Sequence, residues 1–247
     1  MRKIKHVSVI GSGIMGSRIA CHFANIGVKV LLLDICPSQL LDSEKEKGLT
    51  LKDTAVKNRV VKTSFFNTLK TKPSSLYLKE NKENIQLGNI EDDINKIKES
   101  DWIIEVVVEK IEIKEKVFDL VDKNRTKGTL ITSNTSGIPV DEMVKGREKD
   151  FVENFCVTHF FNPPRYMKLL EIVPGKETNE EVTSFLMKYG SLFLGKETVL
   201  CKDTPAFIAN RIGIYSIMSA MHTIDEMGLS VGEVDFLTGP KIGRAKS

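Results

Sequence analysis

A chain of 247 residues has room for one large α/β domain and part of a second. Its 41% hydrophobic and 28% charged residues are those of an ordinary globular protein, and a net charge of +3 without a one-sidedly basic stretch argues against a nucleic-acid partner. No apolar run reaches the roughly 18 residues of a membrane span, and Cys21, Cys36, Cys156 and Cys201 show neither CxxC pairing nor zinc spacing, so they read as reduced thiols with no metal to hold.

The N-terminus, Met1 to His6, leads straight into a strand and lacks the apolar core of a signal peptide. A cytoplasmic protein is therefore expected. Val7-Ser8-Val9-Ile10 is a short apolar run that stops at glycine, the pattern of a buried parallel strand. A helix is predicted over Ile14 to Asn25, with Gly27 placed to end it, and a second buried strand over Val28 to Leu33, ending at Asp34. Strand, helix and strand in this order make one βαβ unit.

From about Pro37 to Leu87 the chain turns lysine- and glutamate-rich. Two helices are predicted here, about Gln39 to Gly48 and Leu51 to Leu69, then an irregular Lys-Pro-Ser-Ser stretch and a short return. Regular alternation resumes with a strand over Asp101 to Val108, a helix over Lys114 to Asn124 and a strand over Thr129 to Thr132. Phe155 to Phe160 and Leu169 to Val173 are further strands, and Glu180 to Leu194 has helical spacing. Thr204-Pro205 reads as a helix start, with threonine as N-cap and proline in the first turn, opening a long apolar helix to about Met227 that Gly228 ends. We place a domain boundary near Leu200. The expected fold is α/β: a Rossmann-type doubly wound sheet over residues 1–200 with a helical excursion at about 37–87. The beginning of an all-α domain follows over 201–247, within which the chain is expected to break off.

Gly11-Ser12-Gly13-Ile14-Met15-Gly16 matches G-x-G-x-x-G. Alone the pattern is weak, but here a strand precedes it, a helix follows it and the acidic Asp34 ends the next strand. Gly11 permits the tight turn, Gly13 lets the backbone approach a pyrophosphate, and Gly16 lets the helix pack on the strand. The helix N-terminus offers free N–H groups to the phosphates. Asp34 is expected to accept from the adenosine ribose hydroxyls and to repel a 2′-phosphate, which favours NAD over NADP. FAD uses the same motif and stays open at this point.

His159 precedes Phe160-Phe161-Asn162-Pro163-Pro164, and Glu171 sits inside Leu169-Leu170-Glu171-Ile172-Val173. A carboxylate flanked by apolar residues must face away from the core or have a partner. A histidine on a neighbouring strand is one such partner, and a His–Glu pair is the acid–base unit that oxidation of an alcohol needs. A surface glutamate and an unrelated structural histidine fit the same spacing. Thr132 to Gly137 follows a strand at the end where open α/β sheets place ligands; its hydroxyls could bind substrate or merely cap a turn. His6, His22 and His222 read as structural.

Taken together these residues resemble the 3-hydroxyacyl-CoA dehydrogenase family. The resemblance covers nearly the whole chain. It rests on Val9 to Gly16, on Glu105 to Glu109, on Ser133-Asn134-Thr135-Ser136, on His159-Phe160-Phe161-Asn162-Pro163, on Met167-Lys168-Leu169-Leu170-Glu171, and on Cys201-Lys202-Asp203-Thr204-Pro205 with Asn210-Arg211. It implies NAD-dependent oxidation of (3S)-3-hydroxyacyl-CoA to 3-oxoacyl-CoA in fatty-acid β-oxidation, in a subgroup where an enoyl-CoA hydratase portion follows. By the resemblance His159 is the catalytic base and Glu171 its orienting carboxylate. Ser136 and Asn210 hold the 3-oxygen and thioester region of the substrate, and Ser136 also lies near the nicotinamide. Glu109, Lys114 and Asn162 match positions that contact NAD. The family binds CoA partly through the excursion, where Lys57 and Arg59 are the candidates, and a homodimer through the helical domain is implied. Two departures stand out. Gly137 replaces a second serine after Ser136, and Thr238-Gly239-Pro240-Lys241-Ile242-Gly243-Arg244 differs from the usual Gly-Pro-Phe-containing stretch. Two competing readings are another NAD-linked dehydrogenase of small β-hydroxyacids, which would use a catalytic lysine, and a non-catalytic, crystallin-like relative. The His159/Glu171 spacing and the CoA-side excursion weigh against the first, and retention of His159, Glu171, Ser136 and Asn210 together weighs against the second.

Overall fold

Short β-branched runs without polar alternation need cover on both faces. In the computed structural model, which describes residues 2–240, β1 (His6–Ile10), α1 (Ile14–Ala24) and β2 (Lys29–Asp34) form the predicted βαβ unit. The excursion follows as α2 (Asp42–Lys45), α3 (Thr54–Lys57), α4 (Arg59–Leu69) and a tight helical turn over Lys79–Asn84, before β3 (Ile85–Asn89) rejoins the sheet. Then come α5 (Ile90–Asp93), β4 (Trp102–Glu105), α6 (Ile111–Asn124), β5 (Leu130–Ser133), α7 (Val140–Val144), α8 (Lys149–Glu153), β6 (Phe155–Phe160), β7 (Leu169–Pro174), α9 (Glu180–Leu192) and β8 (Glu197–Leu200). These elements belong to the first of two units, Met1–Pro205; the second, Ala206–Ser247, holds α10 (Ala209–Glu226) and α11 (Val231–Thr238).

The eight strands lie in the order β3-β2-β1-β4-β5-β6-β7-β8. Pairing is parallel from β3 through β6; β7 runs antiparallel to β6, and β8 parallel to β7. This is the expected Rossmann-type sheet. The chain builds outward from β1 to β3, then returns to the other side of β1 at β4. That reversal opens a crevice at the carboxyl ends of β1 and β4, where such sheets take their ligands. The core gathers around Trp102, which meets Phe23 edge-on at 5.2 Å and Tyr189 at 6.0 Å. A second aromatic cluster, Phe118 with Phe151 and Phe155, joins α6, α8 and β6.

Several elements differ from expectation for identifiable reasons. The first excursion helix shrinks to Asp42–Lys45, and the left-handed Gly48 (φ 68°) follows it. The second splits: Thr50 donates its N–H and Oγ1 to Asp53 (both 2.7 Å) in a turn, and Asn58 leaves helical geometry between α3 and α4. β4 stops at Glu105, whose carboxylate accepts from the Val107 N–H (2.6 Å) and turns the chain out of the sheet. The last long helix begins at Ala209 and not at Pro205, because Ala206 and Phe207 adopt left-handed φ values of 63° and 47°. Its end at Gly228 (φ 61°) is as predicted. β8 and α11 were not predicted; α11 opens on a Ser230/Glu233 capping box. The departure over residues 241–244 lies outside the described residues. Among the described residues no helix is long and apolar enough to cross a membrane.

Candidate active site

The glycine turn is held by steric necessity. Gly11 sits at φ 103°, and a Cβ there would come within 2.5 Å of the Val106 carbonyl oxygen. A Cβ on Gly16 would fall 1.7 Å from the Gly11 carbonyl oxygen. At Gly13, by contrast, a Cβ would meet no atom within 4 Å, so the space above this backbone is open. α1 starts there with no side-chain cap and no acidic residue in its first turn. Its N–H groups and positive dipole end are left for an anion. At the end of β2, Asp34 accepts from Ser12 N (2.6 Å), Ser12 Oγ (2.5 Å) and Ile35 N (2.7 Å). Open backbone, bare helix terminus and adjacent carboxylate fit the pyrophosphate and ribose of a dinucleotide.

The antiparallel pairing of β6 and β7 sets His159 directly opposite Glu171. His159 Nδ1 lies 2.7 Å from Glu171 Oε2, although the residues are 12 apart in sequence. Glu171 is fully buried and His159 nearly so. A buried carboxylate demands a partner of this kind. With Nδ1–H donated to the carboxylate, Nε2 is the basic nitrogen of the neutral ring. The Phe161 ring packs 4.5 Å from the imidazole. Asn134 Oδ1 accepts from Phe160 N (2.9 Å) and ties the loop after β5 to the end of β6. Asn162 accepts from Arg18 on α1, so the segment beyond His159 meets the helix that opens on the glycine turn.

A second charged cluster lies at the ends of β4 and β5. Glu105, fully buried, receives Lys114 Nζ at 2.9 and 3.0 Å and Ser133 Oγ at 2.5 Å. Lys114 is only 1% exposed, and its ammonium also lies 3.2 Å from Glu109 Oε2. The structure thus places this lysine inside the protein, between two carboxylates. Glu109 accepts from Ser136 N (2.9 Å) and from the Thr135 hydroxyl. Burial alone would raise its carboxyl, but the bonds from Thr135 and Ser136 and the Lys114 charge hold it below its ordinary value.

Other candidates are placed elsewhere. Lys57 is paired with Asp92 (2.6 Å) and Glu91 (3.4 Å), and it lines a cavity of about 720 Å³ with Cys36, Ser38, Leu51 and Lys52. Arg59 is paired with Glu44 and donates to the Gln39 carbonyl (2.7 Å). Asn210 lies in the first turn of α10, in the second unit. His22 is buried, with Nε2 3.0 Å from the Leu194 carbonyl, and burial pushes it down to about 4, so it stays neutral. His6 and His222 are exposed. Burial pushes the Cys21 thiol up to about 12 and those of Cys36 and Cys201 to about 11, away from nucleophilic form. Two residues were missed in the sequence. Lys196 is buried and donates to the carbonyls of Pro164 and of Met167 (2.8 Å), gripping the loop between His159 and Glu171; burial lowers it to about 8. A lysine between Gly195 and Glu197 carries no sequence signal of that role. Glu105 did carry one, an acid ending an otherwise apolar strand.

A model of the 3-hydroxyacyl-CoA dehydrogenase NAD binding domain matches residues 6–204. A Bacillus subtilis protein named probable 3-hydroxyacyl-CoA dehydrogenase is 51% identical over 246 residues, which is 100% of this chain but 31% of that protein. A Deinococcus radiodurans protein of the same name is 40% identical over 245 residues, 99% of this chain and 67% of that one. Among solved structures, (S)-3-hydroxybutyryl-CoA dehydrogenase from Ralstonia eutropha matches with a TM-score of 0.71 and 25% identity, over 94% of this chain and 75% of that one. The chain therefore spans about a third of the length of the Bacillus subtilis relative.

Proposed function

The chain belongs to the 3-hydroxyacyl-CoA dehydrogenase family, and on that premise we propose that it oxidises the 3-hydroxyl of a (3S)-3-hydroxyacyl-CoA to a 3-oxoacyl-CoA with NAD. The observation that carries the proposal is the buried His159–Glu171 pair, tied through Asn162 and Arg18 to the helix of the glycine turn. NAD, when bound, supplies the acceptor for the hydride that leaves C3. His159 Nε2 takes the hydroxyl proton, and the Glu171 carboxylate on Nδ1 stabilises the ring once both nitrogens carry protons. In the reverse direction the same nitrogen returns the proton.

Gly11, Ser12, Gly13, Ile14, Met15 and Gly16 are proposed to cradle the pyrophosphate, and Asp34 to select the unphosphorylated ribose. Glu109 and Asn162 line the nicotinamide side with Ser136, whose hydroxyl also meets the substrate 3-oxygen, while Asn210 serves the thioester. Lys114 contributes from behind Glu109. Lys57, lining its cavity, and Arg59, which also pairs with Glu44, are the CoA-side candidates. A role in fatty-acid β-oxidation, a longer protein with an enoyl-CoA hydratase portion, a homodimer through the helical domain and a cytoplasmic location belong to the same proposal. Family membership and the greater length of the Bacillus subtilis relative support its broader terms.

The test is NADH formation by the intact protein. Turnover of 3-hydroxybutyryl-CoA with NAD, and much less with NADP, is expected. Turnover of free 3-hydroxybutyrate in place of the thioester would move the assignment to a small-β-hydroxyacid dehydrogenase, and no turnover of either would favour a non-catalytic relative.

A further inference from the structure

We propose that Glu105, which lies too deep to meet a reactant, is a positioning residue that holds Ser136 through Lys114 and Glu109; its bearing on turnover rests on the functional reading above. The chain of contacts is continuous. Glu105 closes β4 beside β1 and β5, in register with Ile10 on one side and Ser133 on the other. Its oxygens receive Val107 N, Ser133 Oγ and the Lys114 ammonium. Lys114 reaches back from α6 and gives a further contact to Glu109 Oε2 (3.2 Å). The other Glu109 oxygen, Oε1, accepts from Ser136 N (2.9 Å), from Ser136 Oγ (3.4 Å) and from the Thr135 hydroxyl. One oxygen of Glu109 thus faces the buried cation, and the other holds the loop that carries Ser136.

Charge explains why all three members are needed. Two carboxylates sharing one ammonium repel each other unless the cation lies between them. Without Lys114, Glu109 would be driven from Glu105 toward water, since its side chain is already 42% exposed, and would release the Ser136 N–H. Without Glu105, Lys114 would keep one half-exposed partner for a buried charge. A buried ion pair is a poor source of stability, because apolar residues of the same volume serve as well. What apolar residues cannot do is fix the carboxylate that receives Ser136. Glu105 is therefore assigned to geometry more than to folding energy.

That distinction sets the experiment. The double variant Glu105→Gln/Lys114→Met removes both buried charges and keeps the volumes. We expect a thermal midpoint close to wild type, Ser136 amide hydrogen exchange faster by about tenfold, and kcat lower by a similar factor, as for loss of a charge-assisted hydrogen bond. Glu109→Gln, which leaves the buried pair intact, should loosen the Ser136 amide equally, and joining it to the double variant should add little. Wild-type exchange at Ser136 in the double variant would overturn the proposal, as would additive effects of the two changes. Should the double variant not fold, Lys114→Gln decides by the same exchange measurement: faster exchange supports the relay, and unchanged protection refutes it. Exchange is read without substrate. Failure of the wild-type protein to oxidise 3-hydroxybutyryl-CoA would thus strike the functional reading and leave the Glu105–Ser136 connection to be judged separately.

Discussion

The nucleotide turn is contiguous from Gly11 to Gly16, and its partner Asp34 is reached across a single βαβ unit. The reacting side is gathered from the ends of β4, β5, β6 and β7, with contacts joining residues 26 or 28 positions apart. The two regions also obey different constraints. The turn is governed by space: at Gly11 and Gly16 any side chain would strike backbone. The reacting side is governed by charge, because Glu105 and Glu171 are both fully buried and the oxygens of each need partners inside the protein. A turn fixed by sterics can be completed locally, whereas a buried charge has to be answered from across the sheet. Substitutions should therefore separate cofactor binding from turnover according to the region they touch.

The largest separation is expected at His159. His159→Ala should lower kcat by about 10²–10⁴-fold, the usual range for a general base; near-normal turnover would remove the histidine from the mechanism. Glu171→Gln comes next. Loss of the anion on Nδ1 should slow turnover by about 10- to 100-fold, the worth of a hydrogen bond to a charged group. Steady-state rates equal to wild type would mean that the 2.7 Å contact only fills the core.

Asp34→Ala tests the other region. It deletes the expected ribose acceptor and the charge that opposes a 2′-phosphate, and it also frees Ser12. The NAD-to-NADP preference should narrow by about tenfold. Dissociation constants for both nucleotides check this, and an unaltered ratio would show that Asp34 serves Ser12 alone.

The smallest effect concerns Lys196, on the reacting side but in contact with loop carbonyls only. Folded, it titrates near 8; its ordinary value is 10.5. The folded state thus gives up this proton before the unfolded chain does, and stability gains as pH rises from about 8 to 10.5. Lys196→Met should lack that gain, so the difference in urea midpoint between the two proteins should change across this window. A constant difference would place the lysine in an ordinary exposed environment.

Legibility in the sequence follows the same division. The fingerprint could be read whole because its spacing is local, and β6 and β7 because their apolar runs flank an obvious turn. The His159–Glu171 pairing was one of two open readings until the register set the residues opposite each other. Lys196 was hidden, since a lysine between Gly195 and Glu197 gives no local sign that its charge is answered far away; Glu105 showed as an acid ending an apolar strand, but not that Lys114 answers it. The excursion misled through composition: its helical periodicity is real, but the Thr50–Asp53 turn and Asn58 interrupt it. The start of α10 misled through a good Thr-Pro signal, which the left-handed Ala206 and Phe207 override.

The division between a cofactor region and a reacting region is tested most directly by calorimetric titration of NAD into His159→Ala and Asp34→Ala side by side. That division predicts wild-type NAD affinity for His159→Ala and weakened affinity for Asp34→Ala. Weakened binding in the histidine variant, with undiminished binding in the aspartate variant, would contradict it.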